Sequence, residues 1–136
     1  VRNAQRQRNA DRLRQLLADQ TGLAALDNSG TTALPGYYKF GFTYDVGAFS
    51  GLSRESFADS MRAEGIAVDP GFRALHRIHS RRRFRTVGDL HNAERSDECV
   101  LTLHHPFLLG SDEDIEQIVI AIDKIRRHAT MIQQQK

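Results

Sequence analysis

One cysteine, Cys99, in 136 residues leaves no partner for an internal disulfide and suits a reducing, cytoplasmic setting. No apolar run approaches the roughly 20 residues that cross a bilayer, and the first residues lack the pattern of a signal peptide, so a membrane role is not expected. Internal repeats and low-complexity linkers are missing too, which leaves one domain over residues 1–136, of ordinary size. Charge of one sign is scarce: the net charge is only +2, because acidic residues nearly balance basic ones. Lysine is scarcer still, for 16 of the 19 basic residues are arginine and only Lys39, Lys124 and Lys136 are not. Arginine's planar fork suits bidentate binding of carboxylate or phosphate, although arginine-rich composition is also a habit of some genomes.

What is present divides into regular segments. In "VRNAQRQRNADRLRQLLADQ", Ala10, Leu13, Leu16 and Leu17 share one stripe, as an amphipathic helix over 1–20 requires. A helix that begins at Val1 without a cap is expected to belong to something longer. "GLAALDNSGTTALPG" reads as loop. "YYKFGFTYD" alternates, with Tyr38, Phe40, Phe42 and Tyr44 expected on one face and Tyr37, Lys39, Gly41 and Thr43 on the other. Ser53 caps a helix whose Phe57, Ala58 and Met61 share a face, and Gly65 takes the left-handed position at its end, followed by Ile66. "AVDPGF" is a short extended piece, "TVGDLHNAERSDE" a short helix and "CVLTLHH" a second strand. The last helix starts at a Ser111 cap with Asp112 to Asp114 at its positive end. Ile115, Ile118, Val119, Ile122 and Ile125 form its stripe, and Arg126, Arg127 and His128 are expected at its negative end. "TMIQQQK", Thr130 to Lys136, is expected to fray, with 131–136 as a tail. Two or three short strands packed under helices make an α+β layer domain, with its core expected over 37–130.

The chemistry-bearing stretch is "GFRALHRIHSRRRFR", Gly71 to Arg85, with two of the six histidines and six of the arginines. A metal site is disfavoured, because His76, His79, His91, Cys99, His104 and His105 lack the paired spacings of structural zinc. His104 and His105, adjacent on a strand, point to opposite faces. "SRRRFR" is a compact basic cluster with an aromatic, yet no known nucleic-acid-binding motif surrounds it. A solvated basic loop explains the cluster equally well if it stands alone.

It does not stand alone. "LPGYYKFGFTYD", "SRESFADSMRAEGIAV", "FRALH" and "NAERSDECVLTLHHPFLLGSDEDIEQIVIAIDKI" follow one another in an order that resembles the C-terminal domain of the DegT/DnrJ/StrS aminotransferases. The carrying elements are the Tyr37-Tyr38 strand, the helix ending at Met61, Gly65 and Ile66, Phe72-Arg73-Ala74-Leu75-His76, the Ala93-Glu94 pair, and the closing strand and helix. The resemblance departs at Leu103-His104-His105-Pro106, where the family has a leucine-proline strand end. It departs again after His76, where a proline-rich continuation is replaced by His79 to Arg85.

The resemblance implies a small antiparallel sheet packed against helices, forming the small domain of a pyridoxal-phosphate enzyme that aminates keto-sugars or cyclitol ketones from glutamate or glutamine. It implies that the cofactor and its Schiff-base lysine belong to a large domain outside these residues. No catalytic, cofactor or metal residue is then expected in this chain, which would be inactive alone. Its partners would be its own large domain, a second subunit of a homodimer and a small-molecule substrate, without nucleic acid. The stripe of the 1–20 helix is expected to seek a partner outside the chain. Substrate would be met by His76, hydrogen-bonding a sugar or cyclitol hydroxyl, and by Arg73, binding an anionic group; Arg81, Arg82 and Arg83 would face solvent or a subunit. The competing readings are a free-standing binding module and a basic nucleic-acid-binding domain. Retention on heparin with a steep salt dependence would mark the second.

Overall fold

The computed structural model describes residues 2–27, 30, 32 and 35–135. The elements run α1 (Arg2–Ala18), β1 (Leu23–Ala25), β2 (Lys39–Tyr44), α2 (Arg54–Ala63), β3 (Val68–Pro70), α3 (Leu75–Ile78), α4 (His91–Cys99), β4 (Val100–His104) and α5 (Asp112–Gln134). The strands form one sheet in the order β1-β2-β4-β3, antiparallel throughout. The class is α+β, as expected, but with four strands where two to three were expected. The additional strand is β1, hidden in a segment read as loop. Its three residues Leu-Ala-Ala carry no alternation of their own. It is a strand because Leu23 pairs with Tyr44, Ala24 with Thr43 and Ala25 with Phe42. Gly22, at φ +80°, turns the chain into it, and the Gly22 carbonyl accepts the Asp45 amide at 2.8 Å.

On β2, Phe40, Phe42 and Tyr44 are buried and alternate with half-buried Lys39, Gly41 and Thr43. The expected alternation stops at its N-terminal end: Tyr37 is buried and Tyr38 is 72% exposed, the reverse of the pattern. Tyr37 has φ +45°, a left-handed turn that breaks the two-residue period before the strand begins. The buried face continues with Val68, Leu101 and Leu103, and α1, α2 and α5 supply most of the rest of a single hydrophobic cluster.

The helix ends follow local chemistry. Ser53 Oγ accepts the Ser56 amide at 3.1 Å and starts α2. At the other end the Ile66 amide reaches back to the Met61 carbonyl at 2.9 Å across Gly65, whose φ is +83°. Ser111 and Asp114 exchange side-chain-to-backbone bonds at the start of α5.

Two expectations about the chain ends are overturned. The leading helix does not offer its stripe outward: Ala10, Leu13 and Leu17 are buried in the same cluster as the sheet. Asn9, fully buried, donates to the carbonyls of Leu108 (3.0 Å) and Gly110 (2.9 Å), so polar bonds fix the same docking. The segment from Thr130 is not a fraying tail but helix through Gln134, because buried Ala129 and half-buried Ile132 extend the apolar stripe beyond Ile125. Arg126, Arg127 and His128 consequently lie well inside α5, not at its negative end. Arg126 instead lays its guanidinium 4.2 Å over the Phe49 ring and donates to the Thr21 carbonyl at 2.8 Å, tying α5 to the turn after α1.

Candidate functional site

Between β3 and α4 the chain is pressed against the sheet and then lifted off it. The Gly71 amide donates to the Val100 carbonyl at 2.8 Å, and a Cβ at Gly71 would stand 2.9 Å from that same oxygen. Only glycine lets the backbone approach so closely. Phe72 then swings out, 77% exposed, with its ring 5.5 Å from Lys39 Nζ. Residues 73–78 make an extended step and the single turn α3, closed by the His79 amide on the Leu75 carbonyl at 3.0 Å.

That turn is held by α4. Arg73, His76 and Arg77 carry their basic groups at the spacing i, i+3, i+4. Glu94, Asp97 and Glu98 carry carboxylates at the same spacing on α4, and the two rows meet. His76 Nε2 lies 3.3 Å from Glu94 Oε1. Arg77 bridges Asp97 at 3.2 Å and Glu98 at 2.8 Å, and Arg73 Nε lies 3.8 Å from Asp97 Oδ1. Asp97 is the buried member, its side chain only 6% exposed, and it also accepts the Ala74 amide at 3.2 Å. Burial by itself would push the Asp97 carboxyl up. The Ala74 amide, Arg77 and Arg73 together outweigh burial and hold it below the usual carboxylate range. The end of α4 is clamped in turn from α2, where Arg54 donates to the carbonyls of Asp97 (2.5 Å) and Val100 (3.2 Å).

The two residues expected to meet substrate therefore sit on one turn, but in different settings. Arg73 has its side chain 65% exposed; its Nε faces Asp97 while neither terminal nitrogen is hydrogen-bonded among the described residues. His76 has its side chain only 16% exposed, its Nε2 committed to Glu94 and its ring edge-on to Phe84, with centroids 6.3 Å apart. Nδ1 is the nitrogen left for a ligand. An open groove beside them is lined by Arg54, Glu55, Pro70, Arg73, Arg77, Asp97 and Glu98. Arg81, Arg82 and Arg83 form one exposed helical turn farther along the segment. Asp97, Arg77 and Glu98 were missing from the expected set, although the matched i, i+3, i+4 rows of opposite charge were a usable signal.

A second polar cluster lies where β2, β3 and β4 meet. The register places Lys39 opposite His104, and His104 Nε2 stands 2.9 Å from Asp69 Oδ2 and 3.3 Å from Lys39 Nζ. His105, one residue on, instead faces the Tyr38 ring at 5.8 Å, so the two histidines do part company. Among the described residues no three of His, Cys, Asp and Glu gather where they could hold a metal ion.

The lysines bear on pyridoxal phosphate. A Schiff-base lysine must present an unengaged amine to an aldehyde. Lys39 Nζ lies 3.8 Å from Asp69, and Lys124 Nζ is held by both Glu64 oxygens at 2.7 and 2.9 Å. Lys136 lies outside the described residues. Both described amines are engaged by carboxylates.

Residues 1–123 match the model of the DegT/DnrJ/EryC1/StrS aminotransferase family. An L-glutamine:2-deoxy-scyllo-inosose aminotransferase from Streptoalloteichus tenebrarius is 34% identical over 144 aligned positions, covering 93% of this chain and 34% of that protein. A protein of the same name from Streptomyces lividus is 30% identical, covering 94% of this chain and 34% of its own length. The chain thus spans about a third of the length of the curated relatives it matches. Of solved structures, 3-amino-5-hydroxybenzoic acid synthase superposes with a TM-score of 0.70 at 18% identity, over 90% of this chain and 35% of that one. DesI, solved in the presence of its TDP-sugar product, gives 0.70 at 23% identity, over 94% and 31%. At these identities the structures support the fold.

Proposed function

The chain belongs to the DegT/DnrJ/EryC1/StrS aminotransferase family, and from that premise we propose that it is the small C-terminal domain of a pyridoxal-phosphate-dependent aminotransferase. In this reading the whole enzyme moves an amino group from glutamine or glutamate to a cyclitol ketone, with keto-sugars as the second acceptor class. The cyclitol is preferred because the relatives from Streptoalloteichus tenebrarius and Streptomyces lividus carry the name of an inosose aminotransferase. Pyridoxal phosphate would supply the electron sink for the transfer, and a large domain outside these residues would hold it. A second subunit and the large domain would be the macromolecular partners.

One observation carries the part this chain plays. Arg73 and His76 are fixed on a single turn by α4, with the terminal nitrogens of Arg73 and Nδ1 of His76 uncommitted among the described residues. Arg73 would receive an oxyanion and His76 a hydroxyl, so this turn recognises substrate and does not perform the proton transfers. Chemistry by this chain alone is not expected.

The test is an assay of the whole enzyme that carries this chain, given L-glutamine and an inosose, with product read by mass spectrometry. An aminocyclitol is expected, and its absence alongside turnover of a nucleotide-linked keto-sugar would move the assignment to the second acceptor class. His76→Ala should lower acceptor kcat/KM. The loss of one hydrogen bond costs about 0.5–1.5 kcal/mol to a neutral partner and about 1.5–3 to a charged one, or roughly 2- to 150-fold. Unchanged kinetics for both His76→Ala and Arg73→Ala would make the turn mere scaffold.

A further inference from the structure

We infer that Asp97 is a positioning residue, whose buried carboxylate latches the 73–77 turn and holds Arg73 as a receptor for an oxyanion on one of the substrates. This rests on the reading above that the turn meets substrate, but the latch itself stands on geometry alone. Asp97 touches three consecutive-turn groups at once: the Ala74 amide at 3.2 Å, Arg77 Nη1 at 3.2 Å and Arg73 Nε at 3.8 Å. A carboxylate with 6% of its side chain exposed has lost most of its water, so these donors are what make its burial tolerable. Each that leaves makes the buried charge costlier, so the contacts favour movement of the turn as a unit.

The way Arg73 is held is specific. Its Nε faces the latch, while the terminal nitrogens, which form the fork that grips a carboxylate or phosphate side by side, are unbonded among the described residues. Tethering a long side chain near its middle removes rotamer entropy before a ligand arrives. Arg77 is the contrast: both of its terminal nitrogens are spent on Asp97 and Glu98, so it braces the latch and has nothing left for a ligand. Two arginines on one turn thus have different tasks, decided by which nitrogen faces α4. The oxyanion could be the carboxylate of the amino donor or a phosphate on the acceptor. The chemistry of recognition is the same, and kinetics separate the sources.

The experiment has two arms. In this 136-residue chain, Asp97→Asn keeps the side chain's shape and removes its charge, and amide hydrogen exchange reads the consequence. Exchange at Ala74 should quicken at least tenfold relative to Leu101 and Leu103 of β4, with Asp97→Glu less affected. Unaltered protection at Ala74 would overturn the latch. If Asp97→Asn fails to accumulate, Arg77→Met removes one brace from the same carboxylate and should give a milder form of the same pattern. In the whole enzyme, Asp97→Asn and Arg73→Ala should raise KM for the same substrate, with the double variant no worse than Arg73→Ala. A rise for glutamine identifies the donor carboxylate, and a rise for a nucleotide-linked acceptor identifies the phosphate. A loosened turn with both KM values unchanged would uphold the latch while removing substrate recognition from the turn, so the two ideas fail separately.

Discussion

Leu13→Ala asks whether α1 is an integral part of this fold. Leu13 is 1% exposed and lies on the stripe through which α1 meets β1, α5 and the turn 105–109. Truncating a buried leucine removes its transfer free energy and leaves a cavity, together about 2–5 kcal/mol. A domain of this size has about 5–15 kcal/mol in total, so the loss is a large share of its stability. With a urea slope of about 2 kcal/mol/M, the unfolding midpoint should fall by about 1–2.5 M, without a change in slope. Arg8→Ala is the control, because Arg8 is largely exposed and only loosely paired with Asp112 at 3.9 Å; it should shift stability by less than about 0.5 kcal/mol. If Leu13→Ala moves the midpoint no more than Arg8→Ala does, α1 is not docked in solution, and the expectation that its stripe seeks another partner would be restored. If it unfolds the domain at the predicted cost, the core includes the residues before β2.

Four further outcomes follow from the same structure. Ser111→Ala should cost about 1 kcal/mol in the same urea assay, since it removes the acceptor of the Asp114 amide but leaves the reciprocal bond that the residue 111 amide donates to the Asp114 carboxylate, 2.8 Å long. Tyr44→Phe should cost about 1–3 kcal/mol by thermal or urea unfolding, because the buried Leu52 carbonyl loses the hydroxyl that donates to it at 2.8 Å. Burial also pushes the Tyr44 hydroxyl well above its ordinary pKa, so Tyr44 should resist alkaline titration until the domain unfolds. Asp97 is held below the usual carboxylate range, so it stabilises the fold above its unfolded pKa of about 4 and loses that contribution as pH falls through the lower folded value. Wild type should therefore lose stability more steeply on acidification than Asp97→Asn does, and equal slopes would mean that Asp97 carries no such linkage.

How much of this was legible depends on the range of the interaction that makes each element. Ser53, Gly65 and Ser111 act on amides within a turn of themselves, and the helix boundaries that they set came out as read. The strands β2 and β4 were legible because Phe40, Phe42, Leu101 and Leu103 alternate with polar neighbours over enough residues to show a period of two. β1 has three residues and no period, and exists because a neighbour offers it hydrogen bonds. Tyr37 and Tyr38 were misassigned for a related reason. A period describes a strand only while φ stays extended, and nothing in the letters Gly-Tyr-Tyr announces a left-handed tyrosine. At the far end, Ala129 and Ile132 continue the stripe of Ile122 and Ile125, so α5 was legible beyond Ile125 to a reader who kept counting past His128.

The site divides along the same line. Arg73 and His76 could be singled out by resemblance, and the turn that carries them was visible as a glycine followed by a basic run. What they do depends on partners about 20 residues away, and sequence distance alone gives no reason for Asp97, rather than Asp89 or Glu113, to be the buried one. The spacing does give a reason. Three basic groups at i, i+3, i+4 find their match in three acids at the same sequence spacing on α4. Glu94, Asp97 and Glu98 are such a set, and of these Asp97 occupies the middle, where it can reach both arginines. Asp89, one residue after the left-handed Gly88 and before α4 begins, has no helical neighbours to share such a task. The contacts themselves decide which arginine is free. Arg77 lies between Asp97 and Glu98 and is consumed by them, whereas Arg73 faces Asp97 alone through Nε and, among the described residues, keeps its terminal nitrogens for a ligand.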